Sequence, residues 1–311
     1  MIHVEKLTKY YNEFCAVDQI NLDIEKGEIV GLLGPNGAGK TTTLRMLTGF
    51  LRPSSGNINV KDYNITENSL EIKKLIGYLP ESAPLYQDML VYDYLDYVAN
   101  IRSIDRRKKL SRIRHISDLC VISEVMHKPI CELSRGFRQR VGIAHAMISD
   151  PEILILDEPT SGLDPNQIID IRNIIKEIGK QKTVIISTHI LSEAEATCDR
   201  VIIISQGKIL ADGSVETLKQ SGGGENLINI SLKNADFESV KNELISLDAI
   251  SGVILDGKEE DMLHIRLNCK PSHDPREDIY QKIKQTEWIL LEFQKETKSL
   301  ENIFREITKE N

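Results

Sequence analysis

The residues Gly34-Pro35-Asn36-Gly37-Ala38-Gly39-Lys40-Thr41 combine a glycine-rich turn with a lysine and a hydroxyl, a set that does phosphate chemistry. The three glycines let backbone N–H groups turn inward around a polyphosphate. Lys40 carries a positive charge to the β and γ phosphates, and the Thr41 hydroxyl can ligate Mg²⁺. A second set is Asp157-Glu158. Asp157 can hold Mg²⁺ through water, and Glu158 is placed to orient or deprotonate an attacking water, a role worth ~10²–10⁴ in rate. Alone, such a pair is as readily an ordinary acidic turn; beside a phosphate loop it reads as the hydrolytic half of one site.

Both sets need elements that bring them together. An apolar strand (Ile29, Val30, Leu32, Leu33) runs into the glycine-rich turn and a helical segment from Thr42 to Thr48 leaves it, adding its positive dipole end. The run Ile153-Leu154-Ile155-Leu156 reads as a buried parallel strand, which delivers Asp157 and Glu158 to the crevice at its C-terminal end. From Ile153 to Ile209 apolar strands alternate with helical segments, predicting a parallel sheet covered on both faces.

Upstream, short β segments from Ile2 to Val60, with turns at Tyr11-Asn12-Glu13, Lys26-Gly27-Glu28 and Ser55-Gly56-Asn57, predict an antiparallel layer. Between Val91 and Met126 apolar residues recur at helical spacing (Val91, Tyr94, Leu95, Val98, Leu110, Ile113, Ile116, Leu119), which predicts a helical subdomain spanning about 82–150. Its Arg106-Arg107-Lys108-Lys109 run reads as a solvated face. Ser221-Gly222-Gly223-Gly224 is a flexible joint, so the domains are expected at 1–220 and 225–311. The second alternates strand, helix, two strands, helix and strand, with Ile289, Leu291 and Phe293 on the last strand, which predicts a ferredoxin-like α+β domain. A final amphipathic helix is expected after Ser299, with Leu300, Ile303, Phe304 and Ile307 on one face.

Composition narrows the function classes. With 39 basic against 47 acidic side chains the 311-residue chain carries −8, which argues against a broad nucleic-acid-binding face. Five scattered cysteines without C-x-x-C spacing read as reduced thiols, and the first residues lack a secretory profile. No apolar run approaches the ~20 residues a spanning helix needs, so any membrane link is expected through a partner.

Further motifs give these elements a family. Leu133-Ser134-Arg135-Gly136-Phe137 lies upstream of the Asp157 strand, Ser161-Gly162-Leu163-Asp164 follows Glu158 and Pro159, and Val184-Ile185-Ile186-Ser187-Thr188-His189 ends in a histidine. Over about Ile2 to Leu218 the chain resembles the ATP-binding cassette (ABC) ATPases, with these as the family's signature, D-loop and switch histidine. The resemblance implies an α/β P-loop core, ATP and Mg²⁺ as cofactors, and ATP sandwiched head to tail between one subunit's phosphate loop and the other's signature. Gly34 to Thr42 would bind the phosphates, and Ser134 and Gly136 would meet the γ-phosphate of a second subunit's nucleotide. Thr41, Glu81 and Asp157 would serve the metal. Glu158 and His189 would be catalytic, and Tyr11, or its neighbour Tyr10, would stack on adenine.

Two positions depart from the family pattern. Tyr78-Leu79-Pro80-Glu81 places a glutamate where glutamine is usual, adding a charge beside a triphosphate at a cost or gain of roughly 1–4 kcal/mol. Arg135 and Phe137 replace the usual glycine and glutamine; Arg135 either reaches a phosphate or faces solvent. The resemblance implies an ATPase subunit paired with a second cassette, as a homodimer or a heterodimer, and with a separate transmembrane permease, without nucleic acid, at the cytoplasmic face of the inner membrane. The alternative is a soluble cassette ATPase acting on ribosomes or nucleic acid; such proteins generally carry a second phosphate loop or a long coiled-coil insertion, and the sequence shows neither. Leu133 to Ala144, Glu81 and Ser299 to Phe304 resemble bacterial ABC-2 export cassettes, including those linked to gliding motility and to drug or polysaccharide efflux.

Overall fold

A computed structural model describes residues 1–221, 226–259, 261–270 and 275–296, and the chain divides into compact units at Met1–Val215 and Glu216–Asn311. The joint at Gly222 to Gly224 and the helix expected after Ser299 lie outside the described residues.

The first unit begins with an antiparallel sheet of β1 (Ile2–Tyr11), β2 (Phe14–Ile24), β4 (Ser55–Val60) and β5 (Tyr63–Asn64), in the order β2-β1-β4-β5. Ser55-Gly56-Asn57 is not a turn, as the sequence predicts, but the start of β4. Ser55 pairs with Thr8 and Asn57 with Glu5, and the one extra residue this leaves in β1 between Glu5 and Thr8 forms a bulge opposite Gly56.

The second sheet has the order β10-β9-β3-β8-β7-β6, formed by β3 (Ile29–Leu33), β6 (Ile76–Leu79), β7 (Ile153–Asp157), β8 (Thr183–Thr188), β9 (Arg200–Ser205) and β10 (Lys208–Ser214). All its pairings are parallel except β9 with β10. Every residue of β3, β7 and β8 is buried, which explains the apolar runs at their centres, while the polar residues of β7 and β8 lie at the strand ends. Around the sheet lie α1 (Lys40–Leu47), α2 (Ser69–Leu75), α6 (Pro165–Gly179) and α7 (Leu191–Thr197), followed in sequence by α8 (Val215–Ser221).

The helical segment contains α3 (Val91–Ile101), α4 (Arg106–Leu119) and α5 (Arg135–Met147). Asp105 caps α4 by accepting the Arg107 N–H, and Val91, Tyr94, Leu95 and Val98 are buried along one side of α3. Leu110, predicted to face inward on α4, is 55% exposed because the buried stripe of that helix begins one turn later at Ile113.

In the second unit β11 (Asn226–Lys233), α9 (Phe237–Ile245), β12 (Ile250–Glu259), β13 (Met262–Cys269), α10 (Arg276–Lys284) and β14 (Ile289–Glu296) form an antiparallel sheet of order β12-β13-β11-β14. That is the ferredoxin-like order. The alternation expected on β14 fails at one point. Ser231 pairs with Glu292 and Leu232 with Leu290, so Leu291 is an extra residue; Leu290 and Phe293 pack on the core while Ile289 and Leu291 are exposed.

One buried polar contact joins α3 to α5. The Tyr94 hydroxyl hydrogen-bonds His145 Nδ1, and burial pushes the phenol well above its ordinary range. Burial, with Arg102 adding to it, pushes the His145 ring down to about 4. The folded chain therefore holds His145 neutral while the unfolded chain protonates it near pH ~6.5. Its contribution is full above about pH 6.5 and is lost as pH falls towards 4, amounting to about 2–4 kcal/mol. Urea denaturation at pH 7, 5.5 and 4.5 should show a flatter acid limb for His145→Gln than for the unaltered chain.

Candidate active site

Three loops leave the C-terminal ends of β3, β7 and β8, and because these strands are adjacent and parallel, the loops converge in one crevice. The crevice is a cleft of about 460 Å³ lined by Tyr11, Phe14, Ala16, Asn36, Gly37, Gly39, Lys40, Thr41, Thr42, Glu81, Glu158, Ser161 and His189. Its size is that of a small-molecule site.

The glycine-rich segment is held tightly from behind. Gly39 has φ 105, a left-handed conformation, and a Cβ there would stand 2.6 Å from the Ala16 carbonyl oxygen. Lys40, 5% exposed, donates from Nζ to the Gly34 and Pro35 carbonyls at 2.8 and 3.2 Å and pairs with Glu158 Oε1 at 3.2 Å. His189 Nδ1 lies 2.8 Å from Glu158 Oε2, so both oxygens of this carboxylate have partners. Glu158 itself sits at φ 50, a strained conformation for a residue with a side chain, costing on the order of 1–3 kcal/mol. Its backbone is fixed on both sides: the N–H donates to Ser187 Oγ at 2.9 Å, and the carbonyl accepts the Ser161 N–H at 3.1 Å.

Asp157 is completely buried beneath the cleft floor. Its Oδ1 accepts from Thr41 Oγ1 at 3.0 Å and from Ser187 Oγ at 2.6 Å, whereas Oδ2 has no hydrogen-bond partner among the described residues. A buried carboxylate oxygen left without a donor is costly, and a hard cation is the group that oxygen suits. The Thr41 hydroxyl beside it adds a second oxygen donor that suits Mg²⁺, and Glu81 lines the same cleft as Thr41.

Of the two tyrosines, Tyr11 lines the cleft, with Lys9 Nζ 5.5 Å from its ring centroid; Tyr10 borders a different depression on the β1 surface. Phe14, 63% exposed, joins Tyr11 across the β1–β2 turn. Phe14 and Ser187 are site residues that the sequence reading misses. An aromatic on each side of Asn12-Glu13 is the signal for the first; the second has none in the sequence, since its place opposite Asp157 emerges only in the strand register.

Ser134, Gly136, Gly162, Leu163 and Asp164 do not line the cleft. Ser134 caps α5, accepting the Phe137 N–H at 3.3 Å, and Asp164 caps α6, accepting the Gln167 N–H at 3.0 Å. The two helix starts touch within the chain. A Cβ on Gly136 would stand 2.7 Å from the Gln167 side chain, and one on Gly162, at φ 67, would stand 2.3 Å from Arg135 Nη1. Arg135 thus rests on the D-loop of its own chain.

A parallel sheet, a glycine-rich loop opening a helix, and a lysine, two carboxylates and a histidine at adjacent strand ends together define a phosphate-loop nucleotide hydrolase. The ABC transporter family profile matches residues 17–161, and an AAA-domain profile matches 129–194. The uncharacterized ABC transporter ATP-binding protein YxlF of Bacillus subtilis (strain 168) is 39% identical over 220 residues, 71% of this chain and 73% of that protein. The bacitracin transport ATP-binding protein BcrA of Bacillus licheniformis is 39% identical over 222 residues, 71% of this chain and 72% of that protein. The solved structure of cbiO1 from Clostridium perfringens, described as part of the ABC transporter complex cbiONQ, superposes with a TM-score of 0.64 at 30% identity, covering 68% of this chain and 88% of that one. The chain belongs to the ATP-binding proteins of ABC transporters.

Ser187 gives a direct check of this geometry. Ser187→Ala strips a buried hydrogen bond from Asp157 and another from the Glu158 N–H, and should destabilise the chain by about 1–3 kcal/mol in urea unfolding at pH 7.

Proposed function

We propose that this chain is the ATPase subunit of a bacterial export-type transporter, closing head to tail on a second copy and driving a separate transmembrane permease. The observation that carries the reading is the separation of two half-sites. Lys40, Glu158 and His189 line one cleft, while the capped start of α5 at Ser134 lies elsewhere on the chain. A helix start carrying a serine hydroxyl is an anion site, and a second copy supplies the anion.

In this reading the loop amides from Gly34 to Thr42 wrap the triphosphate, and Lys40 neutralises its β and γ oxygens. The phosphate oxygens compete with Glu158 for the Lys40 ammonium. Glu158 then takes the proton of the attacking water as the bond between the γ phosphorus and the bridging oxygen breaks, giving ADP and phosphate. His189 holds the γ-phosphate and Tyr11 stacks on adenine. Mg²⁺ held by Thr41, Asp157 and Glu81 would neutralise charge on the phosphates.

A second cleft supports coupling to a permease. It measures about 330 Å³, is predominantly apolar, and is lined by Phe50, Tyr78, Pro80, Ala83, Pro84, Leu85 and His145 among others, with Phe50 74% exposed at its side. The loop from Pro80 to Leu85 therefore borders both clefts, with Glu81 on the nucleotide side. A permease segment seated in the apolar cleft would act on the loop that touches the nucleotide. Among the described residues no helix is long and apolar enough to cross a membrane, in keeping with peripheral attachment at the cytoplasmic face. The bacitracin-transport relative and the ABC-2 sequence features favour export, and gliding-motility and drug-efflux systems are the subgroups those features resemble.

Glu158→Gln tests the reading. Turnover should fall by at least ~10²-fold, and with Mg·ATP the variant should run as a dimer in light scattering. A strictly monomeric complex, or unchanged turnover, would sink the proposal. Recovery of the native chain with ribosomes instead of membranes would favour the soluble alternative.

A further inference from the structure

We propose that Glu193 is a positioning residue for this site, its buried carboxylate tying the turn after Glu158 to the turn that carries His189. Glu193 lies on α7, is 6% exposed, and no motif in the sequence marks it. Its Oε2 accepts two hydroxyls, from Thr160 Oγ1 at 2.6 Å and from Thr188 Oγ1 at 3.0 Å. Thr160 is two residues beyond Glu158, and Thr188 immediately precedes His189. Thr188 Oγ1 also accepts the Ile190 N–H at 3.0 Å, so the backbone on both sides of His189 is fixed through one hydroxyl.

The energetics favour a geometric role over simple filling. Glu193 Oε1 is buried with no hydrogen-bond partner among the described residues, and a half-satisfied interior carboxylate stabilises a fold poorly compared with an apolar side chain of the same volume. Nor is it a binding site. The cavity bordered by Thr160, Arg172, Thr188 and Glu193 has a volume of about 10 Å³, room for no more than one water. What the carboxylate does provide is a two-pronged acceptor between β7 and β8. Ser187 joins the same strand ends from below, bonding Asp157 Oδ1 and the Glu158 N–H. Held at both levels, Glu158 and His189 meet at 2.8 Å. A shift of either turn opens that contact.

The proposal takes ATP hydrolysis at Glu158 as its reaction, and its test includes a readout that needs no turnover. Glu193→Gln keeps a carbonyl oxygen for the two hydroxyls; Glu193→Ala keeps none. In the full chain Glu193→Ala should lower kcat by on the order of tenfold to a hundredfold with KM for ATP within about twofold, and Glu193→Gln should recover most of it. Without nucleotide, the His189 ring-nitrogen NMR signal should move in Glu193→Ala and stay in place in Glu193→Gln. If Glu193→Ala does not fold, Thr188→Val removes one prong and should show the same kcat loss and signal shift. An unmoved His189 signal with unaltered kcat, or a glutamine variant as impaired as the alanine one, would overturn the assignment. Absence of turnover in the unaltered chain would overturn the hydrolytic reading alone, and the NMR comparison would still decide the positioning.

Discussion

Because β7 and β8 run parallel with Asp157 opposite Ser187, both strands reach the top of the sheet at the same height, and the placing of Asp157, Glu158 and His189 hangs from that register. A slip of one residue would turn Asp157 to the other face of the sheet and separate Glu158 from His189. The register is enforced by burial: each residue of both strands is enclosed, so displacement would expose apolar surface on both faces. The polar groups at the strand ends then have little freedom, and their hydrogen bonds specify orientation more than they add stability.

The phosphate loop, the carboxylate pair and the parallel sheet were legible in the sequence because each depends on local chemistry: glycine where the backbone needs it, an apolar run where both faces are covered. The ferredoxin-like order of the second unit was legible for the same reason, through period-2 and period-3.6 alternation. What stayed hidden depends on distant pairing. Ser55-Gly56-Asn57 has the composition of a turn and pairs as a strand across a bulge that β1 forms between Glu5 and Thr8. Leu291 alternates correctly in sequence and is displaced by a single inserted position against β11.

The site shows the same division. Lys40, Glu158 and His189 advertise themselves, since each stands in a motif: the glycine-rich turn for the first, and the residue just after an apolar strand run for the other two. Ser187, Thr160 and Glu193 do not, because a serine, a threonine and a helical glutamate are unremarkable until tertiary contact makes them partners. Phe14 falls between these cases. It sits in an exposed hairpin where an aromatic is unexpected, yet only the cleft shows that it faces the same space as Tyr11.

The guanidinium of Arg135 lying over Gly162 carries a consequence for how this lineage can vary. The long cation at one position packs against the bare backbone at the other. A methyl group at residue 162 would only push the flexible guanidinium aside, whereas the strain of a side chain at φ 67 would remain with or without the arginine. Glycine at 162 is therefore held in place by its own backbone and not by its neighbour, and a change at 135 leaves that requirement untouched.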